Sequence, residues 1–357
     1  MSRRRLEEAI LRSKELGSCG ESLDGGSEEE SAGTYSDLFV RHHVPLAKDS
    51  HGIYSLRFCP NGKLLAAGFG NGAIQTVNVG GGGADVTLYS GHRTRQAVTA
   101  LSYHPGSQNL LVAAGADGII SVYDIQSQLN VFSLTEQGNE INALDFSLDG
   151  SVFGTAGRDR NIRLYDSHTH QILQTVEAPD SLNDDDVSLT SGHTRRIFAL
   201  RFHPEEHHVF VTGGWDNSVK VWDKRITKEA RSVIHGPHIC GPGIDIKGDM
   251  VVTGSWVARN ALQLWDLRSS GLLQDVPFPA SSLQGEFLYA ARFASDTIVL
   301  AGGSGTSSAC AINFRTKEVL GEVCLPNKAV HTVDVSPGGH TAAVAGAGGN
   351  LHVAEFC

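Results

Sequence analysis

The chain has 357 residues, 40% of them hydrophobic, with 41 glycines, only two methionines and a formal net charge of −10. That length fits one large all-β unit as well as two domains, and the apolar runs, at about five to eight residues, are too short for a membrane-spanning helix. The six cysteines are scattered with no C-x-x-C pair, which suits a reducing compartment and argues against a disulfide framework or a zinc site.

The negative charge is concentrated in two places. Residues 1–35 carry net −3, and residues 176–190 carry net −5 through Glu177, Asp180, Asp184, Asp185 and Asp186. The rest of the chain is close to neutral and shows no basic stripe to neutralise phosphates, so neither nucleic acid nor membrane is an expected partner.

In chain order, residues 1–35 read as a disordered acidic tail. Arg3 to Leu16 places Leu6, Ile10 and Leu11 on a narrow stripe, a helix too short to hold alone in water. It is either solvated or folds on a partner surface. Gly17 to Ala32 has too few apolar residues to pack, and Ser27 before Glu28-Glu29-Glu30 has the acidic context of a phosphosite. The basic start lacks an apolar h-region, so secretion is not expected.

From Ser36 the chain becomes periodic. Short alternating runs recur at Tyr54–Cys59, Val98–His104, Ile141–Phe146, Ile197–His203, Gly243–Ile246, Leu288–Phe293 and Val330–Val335. Each precedes a second run rich in Ala, Gly and Val, such as Leu110–Gly115, Phe153–Gly157 and Val251–Gly254. A third run ends at Asn78, Asp124, Asp166, Asp223, Asp266, Asn313 or Glu355. These markers lie 42 to 47 residues apart except for one step of 57, whose excess matches the acidic stretch 176–190. Seven repeats of an antiparallel meander result, one with a loop insertion.

The fullest repeat runs from Gly192-His193 through the turn Trp215-Asp216-Asn217 to Val221-Trp222-Asp223-Lys224-Arg225. Its GH and WD dipeptides and its spacing resemble a WD repeat, the four-stranded blade of a β-propeller. The resemblance covers residues 36–357 and implies a seven-bladed propeller of four-stranded antiparallel blades. It also implies a hydrogen-bonded structural tetrad of His193, Thr212, Asp216 and Trp222, and a seventh blade completed by residues 36–45. In that setting His193 and Asp216 are structural rather than a catalytic pair.

Several repeats depart from the pattern. Blade one has Gly70-Asn71-Gly72 at the turn and Val77 in place of tryptophan, while blades six and seven have Ile312 and Ala354 there. Blades two and three keep Asp117 and Asp159 with Tyr123 and Tyr165, and blade five keeps Thr253 and Trp265 with a turn one residue longer, Val257 to Asn260.

Two surface features could engage partners. The acidic insertion, on the face of the b–c and d–a loops, reads either as a docking loop for a basic partner or as a solvated loop. On the opposite face Arg225 and Arg268 each stand two residues past the WD aspartate, and Arg315 follows Asn313 in the same way. This tandem W-D-x-R resembles the motif of WD-repeat substrate receptors that dock the adaptor of cullin-RING ubiquitin ligases. Salt bridging within the turn is the other reading.

The chain shows no phosphate-binding loop around Gly80–Gly83, no nucleophile elbow and no tetrahedral ligand set among His203, His207 and His208. The inner-strand starts offer no titratable cluster, and no cofactor is expected. The reading is a non-enzymatic scaffold for protein–protein interaction, a monomer within a larger complex, with a ubiquitin ligase substrate receptor as the alternative. Cysteine usage and the lack of targeting signals place it in the cytoplasm, the nucleus or a cytoskeletal or ciliary assembly.

Overall fold

The structure, a computed structural model, describes residues 37–45, 51–80, 84–91, 96–179, 191–226, 229–280, 285–325 and 327–357. The tail 1–35 and the acidic residues 180–190 lie outside them. Every regular element among the described residues is a strand, from β1 (Leu38–Pro45) to β28 (Asn350–Phe356). They form seven four-stranded antiparallel sheets. Six follow the chain: β2–β5 (53–89), β6–β9 (98–135), β10–β13 (141–176), β14–β17 (197–235), β18–β21 (244–275) and β22–β25 (288–324). The seventh joins β26–β28 (330–356) to β1.

The inner strand of each sheet lies against that of the next, and β26 returns to β2, so the sheets are the blades of a seven-bladed propeller. Residues 38–45 pair with 350–356 in the order Leu38↔Phe356 to Pro45↔Asn350. The ring is thus closed by the N-terminal strand, which covers an edge that would otherwise recruit another strand. The expected inner strands agree with the observed ones to within one residue. In blade five the strand starts at Ile244, one residue after Gly243, where a Cβ would strike the Gly254 carbonyl.

Burial follows from stacking. Strand β15 (Val209–Gly214) is buried at all six positions because other blades cover both its faces, which is why it reads as a continuous apolar run. Outer strands such as β9 (Leu129–Thr135) are largely exposed and mix polar with apolar residues. The apolar side chains gather into seven clusters, each shared by two adjoining sheets. Phe202, Phe210 and Trp222 of blade four, for example, pack with Leu164 and Val176 of blade three. Each large side chain buried in these interfaces stabilises the ring by roughly 1.5–3 kcal/mol.

One irregularity recurs and positions the site. In six inner strands the register slips by one residue at the second position, occupied by Tyr54, Thr99, Asn142, Phe198, Tyr289 and His331. Such a bulge re-aims the side chain it displaces. Tyr54, Thr99, Asn142 and Phe198 accordingly line the axial channel, about 460 Å³ counted with its open mouths. The bulge also brings the carbonyl before the inner strand against the end of the second strand. A Cβ at Gly157 or Gly214 would collide with the carbonyl of Glu140 or Arg196, which explains the small residues there.

Candidate protein-interaction surface

The tetrad of blade four is assembled by three strand and loop ends. Trp222 Nε1–H donates to Thr212 Oγ1 at 2.7 Å, and Thr212 Oγ1 lies 2.7 Å from His193 Nε2. With the threonine hydroxyl donating onward, the imidazole proton sits on Nδ1 and faces Asp216 Oδ2 at 2.7 Å. Ser218 Oγ–H and the Thr194 backbone N–H also donate to this carboxylate. Burial pushes the Asp216 carboxyl up, but the bonds from His193, Ser218 and Thr194 outweigh it and hold it below its ordinary value. His193 has no solvent exposure. The hydrogen bonds tie the loop before the blade, its b–c turn and two of its strands together.

Blade three fills the same place with different residues. Thr155 and Tyr165 occupy the positions of Thr212 and Trp222, and both donate to Glu136 Oε1, Tyr165 at 2.9 Å. Asn139 Nδ2 and Arg163 Nη1 donate to Oε2 at 2.6 and 3.0 Å. Arg163 continues to Asp159, the turn aspartate. Sequence reading did not single out Glu136. Its signal is an acidic residue five positions before an inner strand whose repeat lacks the GH histidine.

The channel corrects the expectation that inner strands hold no titratable cluster. That expectation came from the strand starts, whereas the charges stand near the opposite ends, at Arg57, Asp145, Arg201, Asp245, Arg292 and Asp334. Blade two has Ser102 at this level, and its hydroxyl donates to Asp145 at 3.3 Å. Arg57 and Arg201 lie 2.9 and 3.4 Å from Asp145. Arg201 also lies 2.8 Å from Asp245, and Arg292 lies 3.6 Å from Asp245 and 3.3 Å from Asp334. The second oxygens of Asp145, Asp245 and Asp334 accept the backbone N–H of Phe202, Phe293 and Phe58 in the following blade. Burial pushes the Asp245 carboxyl up, but Arg201 and Arg292 outweigh it and keep it ionised. Burial and the neighbouring Arg201 pull the Arg292 guanidinium down to about 10. Three cations and three anions cancel, leaving a belt that ties blades together and presents no net charge to a ligand.

The face carrying the a–b and c–d loops holds the three candidate arginines, all exposed. Arg225 forks onto Asp223 of its own turn, Nε at 2.8 Å and Nη2 at 2.6 Å, and this bond holds the Asp223 carboxyl down to about 2. Arg268 Nε donates to Asp249 at 2.9 Å, and the Arg315 backbone N–H donates to Asn313. The structure therefore gives Arg225 and Arg268 intramolecular carboxylate partners.

The other face, carrying the b–c and d–a loops, exposes two indoles. Trp215 and Trp256 both stand three residues after the second-strand threonine, Thr212 or Thr253, and so occupy the same b–c position in adjacent blades. They are 42% and 40% exposed, whereas the chain's other two tryptophans, Trp222 and Trp265, are buried in blade interfaces. The loop 236–243 links them: Trp215 Nε1–H donates to Cys240 Sγ at 3.0 Å, and the Trp256 backbone N–H to the His238 carbonyl at 2.8 Å. Phe198 lies 5.1 Å from Trp215, and Phe287 lies 5.1 Å from Trp256. Arg196 stacks over Trp215 and Phe198 and pairs with Glu140, which also takes Arg158. Sequence reading had Trp215 only as a turn residue. The longer turn of blade five hid its match to Trp256.

The family model described as WD domain, G-beta repeat matches residues 42–75, 83–124, 128–166 and 186–223. The chain is 24% identical to GATOR2 complex protein WDR24 of Homo sapiens over 265 residues, 71% of this chain and 30% of that protein. It is 23% identical to Cell division cycle 20.1, cofactor of APC complex, of Arabidopsis thaliana over 66% of this chain and 49% of that one. A third relative, Polycomb group protein FIE2 of Zea mays, is 28% identical over 34% of this chain and 30% of its own length. The chain spans under a third of the length of the GATOR2 relatives it matches.

Proposed function

The chain belongs to the WD-repeat family, and from that premise we propose that it is a non-enzymatic platform that holds protein partners within a multiprotein complex. Two of the relatives are named for such assemblies, the GATOR2 complex and the APC complex. The observation that carries the reading is the pair of half-exposed indoles at equivalent turns of blades four and five. Tryptophan and arginine dominate binding energy at protein interfaces, and a ring that can bury tryptophan between its blades gains nothing from exposing two at one mouth.

The ligase-receptor alternative rests on the exposure of Arg225 and Arg268. To engage an adaptor those side chains would first leave Asp223 and Asp249, which lowers the net gain.

The test is purification of the tagged chain from cells, with gel filtration and quantitative cross-linking. The expected result is a species larger than the chain itself, cross-linked through the b–c and d–a face. Trp215→Ala with Trp256→Ala releases the partners, while Arg225→Ala with Arg268→Ala keeps them. Elution of the wild type alone, without cross-links, overturns the platform reading. Partner loss only in the arginine variant moves the receptor reading to the front.

A further inference from the structure

The axial cavity is a cup with one polar end. Its lining begins at the bulged residues of the mouth, such as Tyr54 and Phe198, and stops at the level of Arg57, Arg201 and Arg292. Mouth and floor are three residues apart along the inner strands, a depth of about 10 Å at roughly 3.3 Å per residue. The wall between them includes Ala100, Ala143 and Ala199, whose small side chains leave the cup open.

Most polar groups above the floor are engaged. Ser55 Oγ–H donates to the Val98 carbonyl and Asn142 Nδ2–H to the Ile197 carbonyl, both at 2.8 Å, and Thr99 donates to the Ile141 carbonyl. The floor differs. Arg57 Nη2 donates to Asp145 at 2.9 Å, while its Nε and Nη1 have no hydrogen-bond partner among the described residues. Arg292 is only 7% exposed, and its Nη1 donates to the Ile244 carbonyl at 3.2 Å. Its Nε faces Asp334 at 3.3 Å without forming a hydrogen bond, and its Nη2 has no partner among the described residues. Thr332, on the wall of blade seven between these two arginines, also has none.

Net charge at this level is zero, yet the signs are unequally placed. All three arginines line the cup. Asp145, Asp245 and Asp334 do not, and each turns one oxygen onto a backbone N–H of the next blade. A ligand at the floor therefore meets guanidinium donors first. At the mouth Arg196 is matched by Glu140, and burial pulls the His331 imidazole down, so it is uncharged at neutral pH. Charges of the outer face, Arg195, Arg259 and the carboxylates of 176–190 alike, are separated from the floor by the depth of the cup, and salt screens exposed charges beyond about 8 Å. Because the aspartates already balance the arginines, a multiply charged anion would bring uncompensated charge into a buried site. One negative charge spread over a planar group suits two arginines with open N–H groups, and the alanine wall suits an aliphatic stem.

We propose that the cup binds a carboxylate on a short aliphatic stem, with its oxygens on Arg57, Arg292 and Thr332 and its stem against Ala100, Ala143 and Ala199. A free short-chain acid and the C-terminus of a peptide share this chemistry. The inference goes beyond the platform reading and does not depend on Trp215 or Trp256.

The experiment is thermal melting and titration calorimetry of the full chain with sodium propionate, propionamide and sodium chloride. Expected is a saturable rise in melting temperature with propionate alone. Arg57→Gln leaves Asp145 with Arg201, Ser102 and the Phe202 N–H, so the ring still folds, and propionate binds at least about tenfold more weakly. Thr332→Leu fills the cup with every charge in place and abolishes binding. Trp215→Ala with Trp256→Ala leaves it unchanged. A second titration compares a short aliphatic peptide bearing a free C-terminus with its C-terminal amide. Binding of the free-ended peptide tighter than that of propionate marks a peptide as the source, and the reverse marks a free acid. Equal effects of propionate, propionamide and chloride overturn the proposal, as does an affinity that ignores Arg57 and Thr332. Absence of binding also overturns it, and the cross-linking experiment decides separately whether the platform reading survives.

Discussion

In blade four an imidazole sits between Thr212 and Asp216, whereas in blade three the carboxylate of Glu136 sits between Thr155 and Tyr165. The two blades share the lengths of their two inner strands, the pairing between them and the bulge, and each sets an aromatic ring in a blade interface. What differs is the electrical account. Blade four runs a chain of neutral donors, Trp222 to Thr212 to His193, onto a single ion, Asp216. Blade three gathers four donors on one ion, Glu136, and offsets it with Arg163, whose guanidinium also meets Asp159. The fold therefore requires a satisfied set of buried donors and acceptors at this spot, and the residues that supply it are exchangeable.

Substitutions can separate the two solutions. The largest effect is expected for Glu136→Gln, which removes the charge that Arg163 and three neutral donors face. Breaking a buried pair in this way costs about 3–5 kcal/mol, read as a fall in unfolding free energy in urea. Thr212→Val in blade four comes next, at about 1–3 kcal/mol, because it strips partners from both Trp222 and His193 without leaving an unpaired charge. Thr253→Val in blade five, where the threonine serves only Trp265, is expected to cost about 1 kcal/mol by the same measurement. If Thr253→Val costs as much as Thr212→Val, the imidazole adds nothing to its blade.

The smallest effect distinguishes the blades by pH. The Asp216 carboxyl lies below its ordinary value in the fold, so its contribution is complete above about pH 4, the range of a free aspartate. That contribution is lost as pH falls through the lowered value. Thermal melts of the wild type and of Asp216→Asn should differ at neutral pH and converge in acid. A constant gap across that range would mean that the carboxylate's charge plays no part.

Most of the ring was legible because its signals repeat. Turn markers at near-constant spacing gave seven units, and the leftover segment before Ile53 gave the closing strand. The tetrad of blade four was legible because His193, Thr212, Asp216 and Trp222 all stand in motif positions. Features made of one residue per blade were not. Arg57, Asp145 and Arg201 each look like an isolated charge in its strand, and only alignment on the following aromatics Phe58, Phe146 and Phe202 puts them on one level. Trp215 and Trp256 needed the same alignment, counted from Thr212 and Thr253 rather than from the turn. The substitution of Glu136 for the histidine is spread through the sequence, since it depends on Thr155, Arg163 and Tyr165 arriving from two other strands.

The charged belt has a consequence of parity. Plus and minus can alternate without a fault around an even ring, but not around a ring of seven. Here Ser102 absorbs the odd place, and Arg57 reaches past it to Asp145. Blade order is thereby keyed. Loss of blade four would set Asp145 beside Asp245, and loss of blade six would set Asp245 beside Asp334, each a like-charge contact in a buried channel. Loss of blade two alone would leave a faultless alternation of six. Repeat families change length by gaining and dropping units, and in this chain the axis itself discriminates among the units that could be dropped.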